Sequence, residues 1–343
     1  MITLPKTVAI ELTARCNHKC FFCSCPWEDK LRIENGELRI KDKELTTAEW
    51  KKVISHLYKF GVQHITFTGG EPTLFKDLPE LIKHADKIGY TLGIVTNGLA
   101  VSDELLAICK KHEVLVSISV PGIETFAPNT GVDNIAGVLA LFEKCESLGI
   151  KTVANIAVSK RNLHELYENI SHPILRGASY VLLNRFLPGG KGLENTELLL
   201  TIDEINDMLD IAEEVLSRAG INGHVGTELP YCIIKNPDKY KHIQVSSMCA
   251  AAKGFFVIDP SGYIKTCNHS PIRVCKWNEI DTLIKNDYWQ KFVSQKYIPK
   301  MCVGCKHLDI CDGGCREAAH VYYGDIDDND PCFNKDKESS YGK

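Results

Sequence analysis

Fifteen cysteines lie along 343 residues, and where they fall constrains this chain more than any other feature. Some gather in residues 16–25 and others in residues 267–332, while the stretch between is nearly free of cysteine. Secreted chains use such counts for disulfides. Met1 to Ile10, however, has neither a basic flank leading into an apolar stretch nor a small-residue cleavage site. The expectation is a reducing, cytoplasmic setting, in which clustered thiols hold metal rather than one another. The 40 basic and 44 acidic residues are interleaved, giving a net charge of −4, which argues for neither nucleic acid nor an anionic membrane surface. No apolar run approaches the roughly 18 residues of a membrane span.

With 44% hydrophobic and 24% charged residues the composition is globular, and roughly 150 residues per domain gives a prior of about two domains. Thr7 to Thr13, His64 to Thr68, Tyr90 to Thr96, Val114 to Val120, Thr152 to Val158 and Ser179 to Arg185 read as β-branched strands. Helical patterns separate them: Thr46 or Thr47 caps a run through Trp50, Val53, Ile54 and Leu57, and Ser102 caps Leu105, Leu106 and Cys109. The alternation implies an α/β fold with a parallel sheet, a partial barrel of six units rather than the eight of a closed one, with its active residues on the loops at the strand C-terminal ends. The expected division is a partial barrel over 1–200, a linking helix over 201–226 ending at Gly220, a small metal-organised domain over 227–333 and a polar tail over 334–343.

Directly after the first strand comes Cys16-x3-Cys20-x2-Cys23. Three thiolates leave one iron of a cubane cluster open to bind something else, whereas a zinc site would be completed by His18 or Cys25. The second strand ends in Thr68-Gly69-Gly70-Glu71-Pro72, where two glycines let backbone approach a ligand and a carboxylate suits an ammonium group. Together the two motifs resemble the radical S-adenosylmethionine (radical SAM) superfamily. The resemblance implies an oxygen-sensitive enzyme in which Cys16, Cys20 and Cys23 hold a [4Fe-4S] cluster whose open iron chelates S-adenosylmethionine. Gly69, Gly70 and Glu71 would orient its amino group, with Phe22 next to adenine and Ser119 near the ribose. Asn97, Asn155 and Arg185 sit at the same rim as further cofactor contacts. Family members commonly continue that serine as Ser-x-Asp-Gly, and here Pro121 replaces the acid.

The C-terminal spacing, Cys249 through Gly262 to Cys267, then Cys302-x2-Cys305-x5-Cys311-x3-Cys315, then Cys332, resembles the SPASM extension of radical SAM enzymes. By the family's interleaved arrangement, auxiliary [4Fe-4S] cluster I takes Cys232, Cys249, Cys267 and Cys315, and auxiliary cluster II takes Cys302, Cys305, Cys311 and Cys332. Two zinc sites are the alternative for these thiolates, but zinc does not account for Cys16, Cys20, Cys23 and Glu71. Without Cys232 as a ligand, cluster I keeps an open iron. Gly262, in Asp259-Pro260-Ser261-Gly262-Tyr263, also reads as a hairpin turn. Cys109 and Cys145 read as buried small hydrophobes. Cys25 and Cys275 are candidate hydrogen-atom donors, and His269 a candidate base.

The implied reaction is reductive cleavage of S-adenosylmethionine, followed by hydrogen abstraction from an unactivated carbon and an oxidation or cross-link. A peptide or protein is the leading substrate class. Asn268 follows Cys267 where sulfatase maturases carry an aspartate, which argues against that activity. The first strand begins within ten residues of Met1, so a separate leader-recognition protein or direct capture in the barrel is expected. The alternative is oxidation or decarboxylation of a tetrapyrrole or other small metabolite, suggested by Arg185 to Gly192 and by the run from Cys315 to Ala319. A non-enzymatic iron–sulfur or zinc scaffold is the remote one. A flavodoxin or ferredoxin is the expected reductant. The polar insertion Leu31 to Glu44 reads as a lid. Its removal should lower product turnover more than uncoupled S-adenosylmethionine cleavage, which parallel assays of product and 5′-deoxyadenosine check.

Overall fold

Apolar β-branched runs that alternate with amphipathic helices build a sheet buried on both faces. The structure, a computed structural model, describes residues 4–25, 31–34, 37–40 and 43–333. The chain runs β1 (Thr7–Glu11), β2 (Leu31–Glu34), β3 (Glu37–Ile40), α1 (Thr47–Tyr58), β4 (His64–Thr68), α2 (Leu78–Ile88), β5 (Thr91–Thr96) and α3 (Asp103–Lys111). It continues through β6 (Leu115–Ser119), α4 (Phe126–Thr130), α5 (Ile135–Ser147), β7 (Thr152–Val158), α6 (Leu166–Ile174), β8 (Tyr180–Arg185) and α7 (Ile202–Ala219). The remainder is β9 (Gly223–Val225), β10 (Ile243–Val245), β11 (Phe255–Ile258), β12 (Tyr263–Lys265), β13 (Cys275–Lys276), α8 (Asp287–Val293) and α9 (Arg316–Tyr323).

Local sequence explains the element ends. Thr46 and Glu49 form a reciprocal capping box at the start of α1, whose buried face is Trp50, Val53, Ile54 and Leu57. Thr201 and Glu204 do the same for α7, and Gly220 ends it in the left-handed region at φ +66°. The sheet order is β10-β9-β8-β7-β6-β5-β4-β1-β11-β12-β13. All pairings from β10 to β11 are parallel, and β11-β12-β13 is an antiparallel meander. The six expected strands are therefore present in order, and the sheet extends beyond them at both edges. The α/β fold with a parallel sheet expected from the sequence is the observed one.

Strand β1 pairs with β4 on one side and β11 on the other, Thr7 standing opposite both His64 and Phe255. The cysteine-rich segment thus enters the same sheet. Asp259 to Gly262 is the expected hairpin turn between β11 and β12: Asp259 Oδ1 accepts the N–H groups of Ser261 and Tyr263, and Gly262 has φ +82°. Leu31 to Glu44 contains the hairpin β2-β3; residues 35, 36, 41 and 42 of the lid expected there, Gly36 among them, lie outside what the structure describes, as does the tail 334–343. Among the described residues, no helix is long and apolar enough to cross a membrane.

One buried ion pair anchors the cysteine-rich segment to the barrel. Asp330 accepts from Arg185 Nη1 at 2.8 Å and Nη2 at 2.6 Å, and Arg185 Nη2 also donates to the Glu228 carbonyl. The same carboxylate accepts the N–H groups of Cys315 (2.7 Å) and Cys332 (2.9 Å). Burial alone would raise the pKa of Asp330, but Arg185 and these donors hold it below the ordinary carboxylate value. Asp330→Ala leaves a guanidinium uncompensated in a site where the two side chains are 2% and 0% exposed. It should cost about 3–5 kcal/mol, measured as a lower urea midpoint at unchanged slope.

Candidate active site

The loop leaving β1 is clamped on every side by backbone. Gly70 N–H donates to the Thr13 carbonyl at 2.7 Å and Glu71 N–H to the Arg15 carbonyl at 2.8 Å. A Cβ on Gly69 would lie 2.5 Å from the Thr13 oxygen, and one on Gly70 2.2 Å from the Arg15 oxygen. Gly69, at φ +133°, also occupies backbone space that side chains rarely enter. The paired glycines thus let β4's exit pack directly on the cysteine loop. From α4, the Thr130 carbonyl accepts Lys19 N–H and the Asn129 carbonyl accepts Phe21 N–H.

The glycines after β8 do similar work. A Cβ on Gly190 would fall 2.5 Å from the Cys25 oxygen, and Gly192 N–H donates to the Cys23 carbonyl. The run from Arg185 to Gly192, which in the sequence points to a small-metabolite substrate, therefore supports the cysteine loop. Phe21 is buried under Arg161, whose guanidinium lies 4.1 Å from the ring centre, and the half-buried Phe22 packs edge-on against it.

Within this frame Cys16, Cys20 and Cys23 come together. Burial pushes the Cys16 and Cys20 thiols up, and each is pushed further by its cysteine neighbours. His18 N–H donates to Cys16 Sγ at 3.4 Å. Among the described residues, no three His, Cys, Asp or Glu side chains are placed to share one metal ion. A cluster asks for something different, since each thiolate binds a separate iron. Crowded, mutually repelling thiols fit a cationic group set among them.

Glu71 is buried, and its carboxylate is largely engaged. Oε1 accepts Thr73 N–H, Thr73 Oγ1 and Thr96 Oγ1, while Oε2 accepts Asn97 N–H at 2.8 Å. One acceptor position on Oε2 remains of the about four a carboxylate offers. Asn97 donates from Nδ2 to Asn17 Oδ1 at 2.7 Å and lies 3.9 Å from Cys16 Sγ. Ser119 and Asn155 are opposite each other on β6 and β7, and Asn155 Oδ1 accepts Asn184 Nδ2 at 2.9 Å. Asn155 is thereby tied to Asn184 of β8, a residue the sequence reading did not single out.

Three residues sit differently from expectation. Arg185, expected as a cofactor contact, turns both terminal nitrogens to Asp330 and the Glu228 carbonyl, and its buried Nε is left without a hydrogen-bond partner. Cys275 is not at the site, since it pairs with Ile264 at the sheet edge and its thiol is bonded to Thr282. Cys232 does not join Cys249, Cys267 and Cys315. It sits in a turn whose Tyr231 N–H donates to Cys311 Sγ at 3.2 Å, and its charged neighbours are Cys311 and Cys305. Cys249, Cys267 and Cys315 form their own buried group, in which the thiols of Cys249 and Cys267 are raised first by burial and then by surrounding acids and cysteines. Cys302 feels Cys311, Cys305 and Cys232.

Cys109 and Cys145 are buried on α3 and α5. Cys25 is partly buried beside Gly190. His269 lies against Gly189, as Ser24 does, with Nε2 buried and unpartnered, and burial pushes its pKa down to about 4. It is neutral near pH 7 and can accept or donate one bond.

Glu165 gave no signal in the sequence. From the turn after β7 it accepts the N–H groups of Ile123, Glu124 and Thr125, so a carboxylate supports the loop in which Pro121 displaces the family's acid.

Residues 10–171 match the Radical SAM superfamily model. These residues, just under half of the chain, thus form a radical SAM domain. With it the chain cleaves S-adenosylmethionine reductively and uses a [4Fe-4S] cluster to do so. Over 96% of its length it is 28% identical to a protein of Bradyrhizobium diazoefficiens and 29% identical to one of Rhodopseudomonas palustris, each named PqqA peptide cyclase and each covered over 86% of its length. The fold is also that of Streptococcus suis SuiB bound to its precursor peptide SuiA, with a TM-score of 0.74 at 16% identity over 96% of this chain and 76% of that one. AdoMet- and peptide-bound anSMEcpe gives 0.70 at 17% identity over 95% and 93%.

The glycine clamp yields a direct test. Gly70→Ala should cost about 1–3 kcal/mol through forced displacement and break the Gly70–Thr13 and Glu71–Arg15 bonds. Hydrogen exchange should report lost protection at residues 70 and 71, with α1 unchanged.

Proposed function

We propose that this radical SAM enzyme modifies or cross-links a peptide, with Cys16, Cys20 and Cys23 holding the cluster that binds S-adenosylmethionine. The observation that carries the reading is the packing of the three-cysteine loop on Gly69, Gly70 and Glu71. Support for a peptide comes from the PqqA peptide cyclases that align along nearly the whole chain. When bound, the cluster supplies the electron that splits S-adenosylmethionine into methionine and a 5′-deoxyadenosyl radical.

The chain's own residues bind and orient. The backbone of Gly69 and Gly70 and the remaining acceptor position of Glu71 receive the amino group, and Asn97 fixes the loop through Asn17. Phe22, Ser119 and Asn155 line the rim toward the nucleoside. His269, neutral and with a free ring nitrogen facing the loop after β8, hydrogen-bonds the bound substrate or cofactor rather than serving as a strong base. Cys25, close to Cys23, is the better placed of the two candidate hydrogen-atom donors. Auxiliary clusters are assigned to Cys249, Cys267 and Cys315 and to Cys302, Cys305, Cys311 and Cys332, with Cys232 on the exposed side of the latter group. A flavodoxin or ferredoxin supplies electrons, and a separate protein presents the leader of the peptide.

Anaerobic reconstitution followed by iron counting and Mössbauer spectroscopy tests this. About twelve irons per chain, falling to about eight in a Cys16→Ala/Cys20→Ala/Cys23→Ala variant, with 5′-deoxyadenosine made by the wild type alone, is the expected result. Product formed on a metabolite and none on any peptide encoded beside the gene would favour the small-molecule reading.

A further inference from the structure

We propose that Glu228 is the fourth protein ligand of the auxiliary cluster held by Cys249, Cys267 and Cys315, a place the sequence pattern gives to Cys232. This rests on the auxiliary-cluster reading above. With Cys232 beside Cys311, the group of Cys249, Cys267 and Cys315 has three thiols, and the question is what completes it.

Glu228 is built into this group from two directions. Its Oε1 accepts the N–H of Ala250, the residue next to Cys249, at 3.1 Å. Its carbonyl accepts from Arg185, which also grips the Asp330 carboxylate that holds Cys315 N–H. Consistent with that placement, Glu228 is the foremost charge acting on both the Cys249 and the Cys315 thiols.

The other acids nearby are committed. Asp312 accepts Cys249 N–H at 2.6 Å and is paired with Lys253 at 3.0 Å. Asp330 is paired with Arg185. Glu317, next to Cys267, accepts from Thr266 Oγ1 and from the Tyr288 hydroxyl at 2.7 Å. Glu228 makes no ion pair among the described residues, and its carboxylate is held at the residue after Cys249, whose thiol, like those of Cys267 and Cys315, must itself lose a proton to bind metal. Such a concentration of negative charge is stable only around a cation. A cubane core is cationic and takes one anionic ligand per iron, so three thiolates and one carboxylate saturate it. Binding releases the carboxyl and thiol protons to solvent and changes no oxidation state. Carboxylate is a harder donor than thiolate, so the iron it holds is the one most readily exchanged.

The deciding measurement is pulsed ENDOR on the full chain, labelled with 13C at the glutamate carboxyl and reconstituted anaerobically in the Cys16→Ala/Cys20→Ala/Cys23→Ala background, which removes the first cluster's signal. A 13C coupling to a reduced auxiliary cluster that is lost in Glu228→Gln and kept in Cys232→Ala is the expected result. Mössbauer spectra of Glu228→Gln should also show one auxiliary cluster with an altered unique iron, or oxidised to the three-iron form. Loaded auxiliary clusters without a 13C coupling in the otherwise unmutated chain would overturn the assignment, and that result does not depend on how Glu228→Gln folds. A coupling that survives Glu228→Gln would overturn it too. Iron absent from the background variant would instead count against the auxiliary clusters themselves.

Discussion

The geometry of the whole molecule depends on β1 being hydrogen-bonded along both edges. A parallel strand paired on two sides cannot shift register without breaking both of its hydrogen-bond ladders, so the point where the chain leaves β1 is fixed between β4 and β11. The cysteine loop emerges there, with Gly69 and Gly70 against one flank. On the other flank Lys265 of β12 reaches Glu11, the last residue of β1, at 3.1 Å in a fully buried pair. Cys267 lies two residues beyond that lysine. The two cysteine-rich regions are thus held at a set separation by one strand and one cross-sheet contact.

Buried acids organise much of what surrounds that strand. Glu71, Glu165, Asp312 and Asp330 each accept backbone N–H groups from loops that the sheet does not hydrogen-bond. A carboxylate can gather several such donors at once, so each acid replaces a stretch of regular structure. Arg316 is the complementary case: fully buried, it donates to the carbonyls of Gly313, Gly314, Ile326 and Asp328 and so ties the end of the four-cysteine run to the segment before Cys332.

The strands and the first cysteine loop were legible in the sequence because their signals are local: β-branched runs, capping residues such as Thr46 and Thr201, and fixed Cys spacing. What escaped depends on partners far along the chain. Arg185 ends a strand at the rim, as a cofactor ligand would, and nothing near it reveals that Asp330 takes its guanidinium. Cys232 lies upstream of Cys249 in sequence, but its turn is drawn to Cys311 by the Tyr231 N–H and by the packing of Tyr231 on His307. Glu165 had no motif to mark it. The glycines were correctly seen as positions of close approach, but what approaches them is the protein's own backbone.

The pairing of β1 with β11 has a bearing on how the protein is made. The strand that starts the sheet finds one of its neighbours only when Phe255 and the residues after it have been synthesised. Contacts of such sequence separation form late and slowly. An emerging chain therefore exposes one edge of its central strand, with the thiols of the first loop beside it, for most of translation. Iron delivery that preceded this closure would meet a loop held on one side only. The order of events in the cell is accordingly expected to be closure of the sheet first and loading of metal second.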